Sequence, residues 1–208
     1  MGVIYFYGAD RPDLFRIERE AMDRAGKVIA RLDALLPESG TVLDVGAGDG
    51  FTAERLRSTD REVIPLEPSQ GMRRPAKPLR WVGGEAEHLP FHDGTFDAAY
   101  STWAYFFSRY LDVRPGLNEL RRVVKPGGIL VIVENLGQDH LSNYAQGDTS
   151  ADLDFWKKQR FECEELETSF EFENVDDARA LLSLYRGTDV PEPPLKLSYR
   201  VGLFLGRV

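Results

Sequence analysis

Residues 42–56 read VLDVGAGDGFTAERL, a short apolar run that enters three glycines and leaves with helical spacing. A strand, a glycine loop and a helix in that order make a ligand site at the carboxyl end of a sheet, because glycines let a ligand approach the backbone closely. The dinucleotide fingerprint asks for G-x-G-x-x-G, whereas Gly46, Gly48 and Gly50 are spaced G-x-G-x-G and Phe51 stands where the third glycine belongs. Charge separates the alternatives further. Asp44 closes the strand and Asp49 stands at the exit of the loop, and each would repel a pyrophosphate.

Along the chain, apolar runs recur at Thr41 to Val45, Glu62 to Leu66, Leu79 to Val82, Phe96 to Tyr100 and Ile129 to Val133, giving five candidate strands. They are separated by helical or loop-like segments such as Arg114 to Val124, as a parallel sheet covered on both faces requires. Upstream, Leu14, Ile17, Ala21, Ala25, Val28, Ile29, Leu32 and Leu36 keep helical spacing, so the pattern predicts one helix over Asp13 to Leu36, closed by Pro37. Downstream the period changes to two. Leu166, Thr168, Phe170 and Phe172 alternate with glutamates, which suits an edge strand, and Leu195 to Leu205 alternate in the same way. Between these strands, residues 174–187 read as a helix from an Asn174 cap to a Gly187 stop.

Composition fits one soluble globular domain: 208 residues, 42% hydrophobic and 29% charged. A formal charge of -8 argues against a broad nucleic-acid footprint, and no apolar run approaches a membrane span. The single Cys163 and the absence of a basic-then-apolar amino terminus favour a reduced, cytoplasmic setting.

A cofactor with cationic groups and no phosphate turns the loop carboxylates into an advantage. S-adenosylmethionine (SAM) has a sulfonium and an ammonium, for which Asp44 and Asp49 offer charge-assisted contacts. Glu67 ends the second strand 21 positions after Gly46, near the separation at which ribose-binding acids occur. The motifs VLDVGAGDG, LEPSQGM, GEAEHLPFHDGTFDAAYS and LRRVVKPGGILVIVE follow in order across residues 40–135. In that order and spacing the chain resembles the class I SAM-dependent methyltransferases, particularly the small-molecule group similar to the quinone-biosynthesis enzymes.

The resemblance implies a Rossmann-like α/β fold, a seven-stranded and mostly parallel sheet in the order 3-2-1-4-5-7-6 with the last strand antiparallel and helices on both faces. It implies one domain over residues 1–208: an amino-terminal segment and helix (1–37), a cofactor-binding core (40–135), a lid segment (136–160) and a strand-helix-strand end (161–208). The cofactor residues it implies are Asp44, Gly46, Ala47, Gly48, Asp49 and Gly50 in the loop, then Glu67, Pro68 and Met72. Glu85 is expected at the adenine amino group, with Ala86 and Glu87 beside the ring, and Ser101 and Thr102 near the methionine portion. The expected reaction is in-line methyl transfer from SAM, leaving S-adenosylhomocysteine, to a small apolar or aromatic acceptor held by Tyr5, Tyr7, Trp103, Tyr105, Tyr144 and Trp156.

No side chain is assigned a catalytic role. Pro90 separates His88 from His92, which speaks against a metal pair on one helix face, and His140 reads as a loop residue. Similar enzymes often carry a His just after the fourth strand, where this chain has Tyr105 to Phe107. Asp97 reads as structural. The rival readings are a SAM-binding protein without transferase activity and, less favoured, a nicotinamide-dependent oxidoreductase.

Overall fold

The structure, a computed structural model, describes residues 10–208. Its amino-terminal helical pattern is broken. Helix α1 covers Pro12–Ala21 and α2 covers Lys27–Leu35, with Asp23 and Gly26 at φ 50° and 69° between them. Asp23 makes the corner by accepting from the Lys27 amide at 3.1 Å and the Val28 amide at 2.8 Å, which satisfies the first donors of α2. Its own amide donates to the Ser169 carbonyl at 3.1 Å. Both helices turn their apolar stripes toward the same core, with Leu14 and Ile17 from one and Val28 and Leu32 from the other. The spacing therefore runs through the break undisturbed and hides it.

Strand β1 (Gly40–Val45) leads through the glycine loop into α3 (Phe51–Leu56) and β2 (Arg61–Leu66). Strand β3 (Phe96–Thr102), helix α4 (Arg114–Val123) and β4 (Val124–Asn135) follow. A 3-10 turn at Leu141–Tyr144 and helix α5 (Leu153–Lys158) precede β5 (Glu162–Glu171), α6 (Val175–Arg186) and β6 (Lys196–Arg207). The six strands stand in the order β2-β1-β3-β4-β6-β5, and β6 runs antiparallel to both its neighbours. That is the predicted order without its outermost strand.

The expected strand at Leu79 to Val82 is reduced to one bridge, Val82 beside Leu66. Val82 donates to the Pro65 carbonyl at 3.0 Å and accepts from the Glu67 amide at 3.1 Å. Pro75 and Pro78 before this point, and Gly83 and Gly84 after it, remove donors and stiffness from the segment, so pairing cannot extend. The carboxylate-rich strand does lie at a sheet edge as β5, where Glu164 pairs with Arg31 at 2.6 Å and Glu165 with Arg200 at 2.6 Å. Asn174 caps α6 by accepting from the Asp177 amide at 2.8 Å, and Gly187 ends it at φ 71°.

Apolar cores cover both faces. One joins the sheet to α1, α2, α3 and α6, and the other joins it to α4 and α5. Strand alternation in β1 sends Leu43 and Val45 to the second core and Val42 to the first. Among the described residues no helix is long and apolar enough to cross a membrane.

Candidate cofactor and acceptor cleft

The carboxyl ends of β1, β2 and β3 open into a cleft of about 1870 Å³, closed on one side by α1 and on the other by the segment after β4. A pocket for a single small ligand occupies roughly 300–1,000 Å³, so this space suits two molecules side by side.

The glycine loop forms its floor. Gly46 sits at φ 75°, and a Cβ there would come 2.3 Å from that of Ala104, so the tight turn and close approach require glycine. The amides of Gly46 and Ala47 both donate to the Leu66 carbonyl, that of Gly48 to Glu67 and that of Gly50 to Ala47. The Phe51 amide donates to Asp49 Oδ1 at 3.0 Å. These donors are spent inside the protein, unlike those of a loop that cradles phosphate.

Glu67 ends β2 with its carboxylate accepting from the Gly48 amide at 2.9 Å and the Ser69 amide at 2.8 Å. Burial pushes its pKa up, while those two amides and the Arg73 guanidinium pull against the rise. Glu67, Pro68 and Met72 line the cleft beside Gly46, Ala47, Gly48 and Asp49. Glu85, Ala86 and Glu87 line a second wall, and Thr102, Trp103 and Tyr105 a third. Trp103 has φ 46°, a conformation rare for a bulky side chain, and its ring stacks on that of Tyr199 with centroids 6.2 Å apart. Burial and the Glu87 carboxylate push the Tyr105 phenol up to about 12.

Five other expected residues lie elsewhere. Asp44 is fully buried beneath the loop, on the sheet face it shares with Tyr100, its partner in the strand register. Neither of its carboxyl oxygens has a well-aligned hydrogen bond. Burial raises its pKa to about 7; the nearby Tyr100 hydroxyl opposes this and the Glu67 charge adds to it. Strand alternation turns Asp44 inward, so it does not line the cleft. Gly50 faces Leu79 and Trp81 at the start of α3, and Ser101 is buried, donating to the Val45 carbonyl at 2.8 Å.

Trp156 belongs to the second core, stacked on Phe204 with centroids 4.9 Å apart, on the far side of the sheet. Tyr144 packs against the first core, while its neighbours Leu141, Ser142 and Ala145 line the cleft. Tyr5 and Tyr7 lie outside the described residues. Asp97 accepts from the Thr41 amide at 2.8 Å and pairs with Lys125 at 2.6 Å, near the opposite end of the strands.

Sequence reasoning missed Arg19 of α1, whose Nε lies 3.2 Å from Asp49 Oδ2, together with Asn135, Tyr185 and Tyr199 on the far wall. Arg19, Tyr185 and Tyr199 stand well outside the motifs, and Asn135 directly follows the last of them. For Arg19 the available signal was an Arg on an amphipathic helix, which ordinarily reads as a solvated face.

The family described as a methyltransferase domain matches residues 43–132, the stretch that supplies the floor and two walls of the cleft. Over residues 43–132 the chain is thus similar to a methyltransferase domain. It is 39% identical over 139 residues to the demethylmenaquinone methyltransferase of Thermobifida fusca, covering 61% of this chain and 57% of that protein. It is 34% identical over 129 residues to the malonyl-[acyl-carrier protein] O-methyltransferase 1 of Coxiella burnetii, covering 59% of this chain and 44% of that protein. The chain spans about half the length of these curated relatives. In fold the chain is similar to the YcgJ protein of Bacillus subtilis, with a TM-score of 0.62 at 19% identity over 86% of this chain and 97% of that one.

Proposed function

We propose that the protein transfers a methyl group from SAM to a small-molecule acceptor. The observation that carries this reading is the charge of the cleft. Ten carboxylate residues and three arginines line it among the described residues, and the loop amides of Gly46, Ala47, Gly48 and Gly50 are already engaged. Such a lining opposes a pyrophosphate and favours a cationic, phosphate-free cofactor.

The described residues fit SAM. Glu67 stands at the tip of β2, where its carboxylate oxygens keep lone pairs for ribose hydroxyls beyond the two amides they accept. Glu85 and Ala86 form the wall expected for adenine, and Thr102 adjoins the space left for the methionine portion. Bound SAM supplies an electrophilic methyl group whose displacement needs alignment and water exclusion more than a protein nucleophile. Trp103 and Tyr105 give the remaining space an aromatic lining, which supports an apolar or aromatic acceptor. The acceptors named for the two relatives differ from one another, so the identity of this acceptor rests on the cleft itself.

A thermal-shift titration tests the cofactor. S-adenosylhomocysteine is expected to raise the melting temperature and NADH is not; the reverse ranking rejects the reading. A panel of apolar and aromatic acceptors, followed by S-adenosylhomocysteine release, then tests transfer. Binding without turnover across the panel favours a SAM-binding protein.

A further inference from the structure

At the glycine-loop end of the cleft an anion and a cation stand side by side. Arg19 reaches across from α1 with its Nε 3.2 Å from Asp49 Oδ2 and its guanidinium carbon 4.8 Å from the centre of the Phe51 ring. The pair is largely sheltered, with side-chain exposures of 22% and 11%. Its hydrogen bonding is nonetheless incomplete. Arg19 Nε is buried without an aligned acceptor, and Nη2 donates only a long bond of 3.4 Å to Glu20. A guanidinium has five N–H donors in a fixed fork, so most of this one's capacity is unspent among the described residues.

The other two arginines of the lining are committed. Arg24 donates to Glu173 at 2.8 Å, and Arg55 lies 3.4 Å over the Phe51 ring and donates to the Phe51 carbonyl. An arginine with open donors therefore faces a cleft whose charge is otherwise strongly negative. Such a cleft repels a ligand carboxylate unless a cation compensates. The complement of an adjacent carboxylate and guanidinium is a zwitterion, and the α-amino-acid end of SAM is one.

We infer that Arg19 binds the carboxylate of the cofactor's amino-acid end while Asp49 takes its ammonium, so that α1, and not the four motifs alone, recognises that end. This rests on the SAM reading above. A planar fork matches a carboxylate through two parallel hydrogen bonds, which a lysine ammonium cannot reproduce. The ligand would replace a poorly aligned ion pair with two well-directed ones, and α1 would be drawn against the loop.

Calorimetric titration of the wild type, Arg19→Gln, Arg19→Lys and Asp49→Asn separates the contributions with three probes. S-adenosylhomocysteine carries both charged groups, its decarboxylated analogue keeps the ammonium alone, and methylthioadenosine has neither. Arg19→Gln is expected to weaken S-adenosylhomocysteine by about tenfold to a hundredfold while leaving the other two probes unchanged, with Arg19→Lys between. Asp49→Asn is expected to weaken the first two probes and spare methylthioadenosine. Retained methylthioadenosine binding also reports that a variant is folded. Equal losses for all three probes in Arg19→Gln would make Arg19 a clamp on the loop and overturn the inference, as would an unchanged affinity for S-adenosylhomocysteine. Failure of every probe to bind the wild type would instead sink the cofactor reading.

Discussion

Glu67 holds Gly48: its Oε2 accepts the loop amide at 2.9 Å while Oε1 accepts that of Ser69 at 2.8 Å, so the acid at the end of β2 fastens the loop that follows β1. Its proposed duty toward ribose hydroxyls is added to a structural one. In Glu67→Gln one carboxylate oxygen becomes an NH2 group that must face a backbone donor. Affinity for both S-adenosylhomocysteine and adenosine is expected to fall about tenfold to a hundredfold, and stability by about 1–3 kcal/mol. Calorimetry with both ligands and a urea melt read the two effects. Unchanged affinity for both ligands would remove Glu67 from the site.

The approach of the loop to the segment after β3 is testable at Gly46. An alanine there would be strained at φ 75° and would press its Cβ into that of Ala104, 2.3 Å away. The left-handed backbone alone costs a residue with a Cβ about 1–2 kcal/mol. Gly46→Ala should therefore lower the unfolding free energy by more than that, and Ala104→Gly should restore the part due to overlap. No rescue in the double variant would show that the contact is not the cause.

Trp156 and Trp103 should part company under mutation. Trp156 is buried among Phe155, Phe161 and Phe204, so Trp156→Ala is expected to cost about 3–5 kcal/mol of stability. Trp103 lines the cleft, and Trp103→Ala should reduce acceptor turnover more than affinity for S-adenosylhomocysteine. Denaturant melts and steady-state kinetics on the two variants decide this. A stable Trp156→Ala protein with impaired turnover would return that residue to the acceptor site.

What the sequence conveyed about this molecule depended on the range of the interaction. The strand-loop-helix at residues 42–56 and the alternation from Leu195 to Leu205 are local patterns, and they became β1, α3 and β6. The break between α1 and α2 was masked because Asp23 makes it through bonds to Lys27, Val28 and the distant Ser169. The edge strand at Leu79 to Val82 had the right composition, but its prolines and glycines leave it one bridge to β2. Within the cleft, the motifs placed the residues that lie on consecutive strand ends. Arg19 became visible only when α1 was folded over the loop, and the inward turn of Asp44 only when the face of β1 was fixed.

Glu134 gives the fold a pH dependence of definite sign. The residue is 4% exposed in β4, and its Oε1 has no aligned hydrogen-bond partner. Burial raises its pKa from 4.5 to about 8, against the opposing pull of the Trp156 indole and the Ser108 backbone. Between those two values the native protein keeps a proton that the unfolded chain has released. The native state then binds more protons, so the unfolding free energy falls as pH rises through this window and levels off above it. One such group contributes at most about 1.4 kcal/mol per pH unit. Asp44, raised from 3.8 to about 7 by its own burial, adds a slope of the same sign over its lower range. Glu134→Gln keeps the shape and removes the titration, so it should flatten the decline without abolishing it. The variant should match the wild type near pH 5 and be the more stable of the two near pH 8. Urea melts of both proteins across that range measure the difference, and parallel curves would mean that Glu134 is ionised in the native protein throughout.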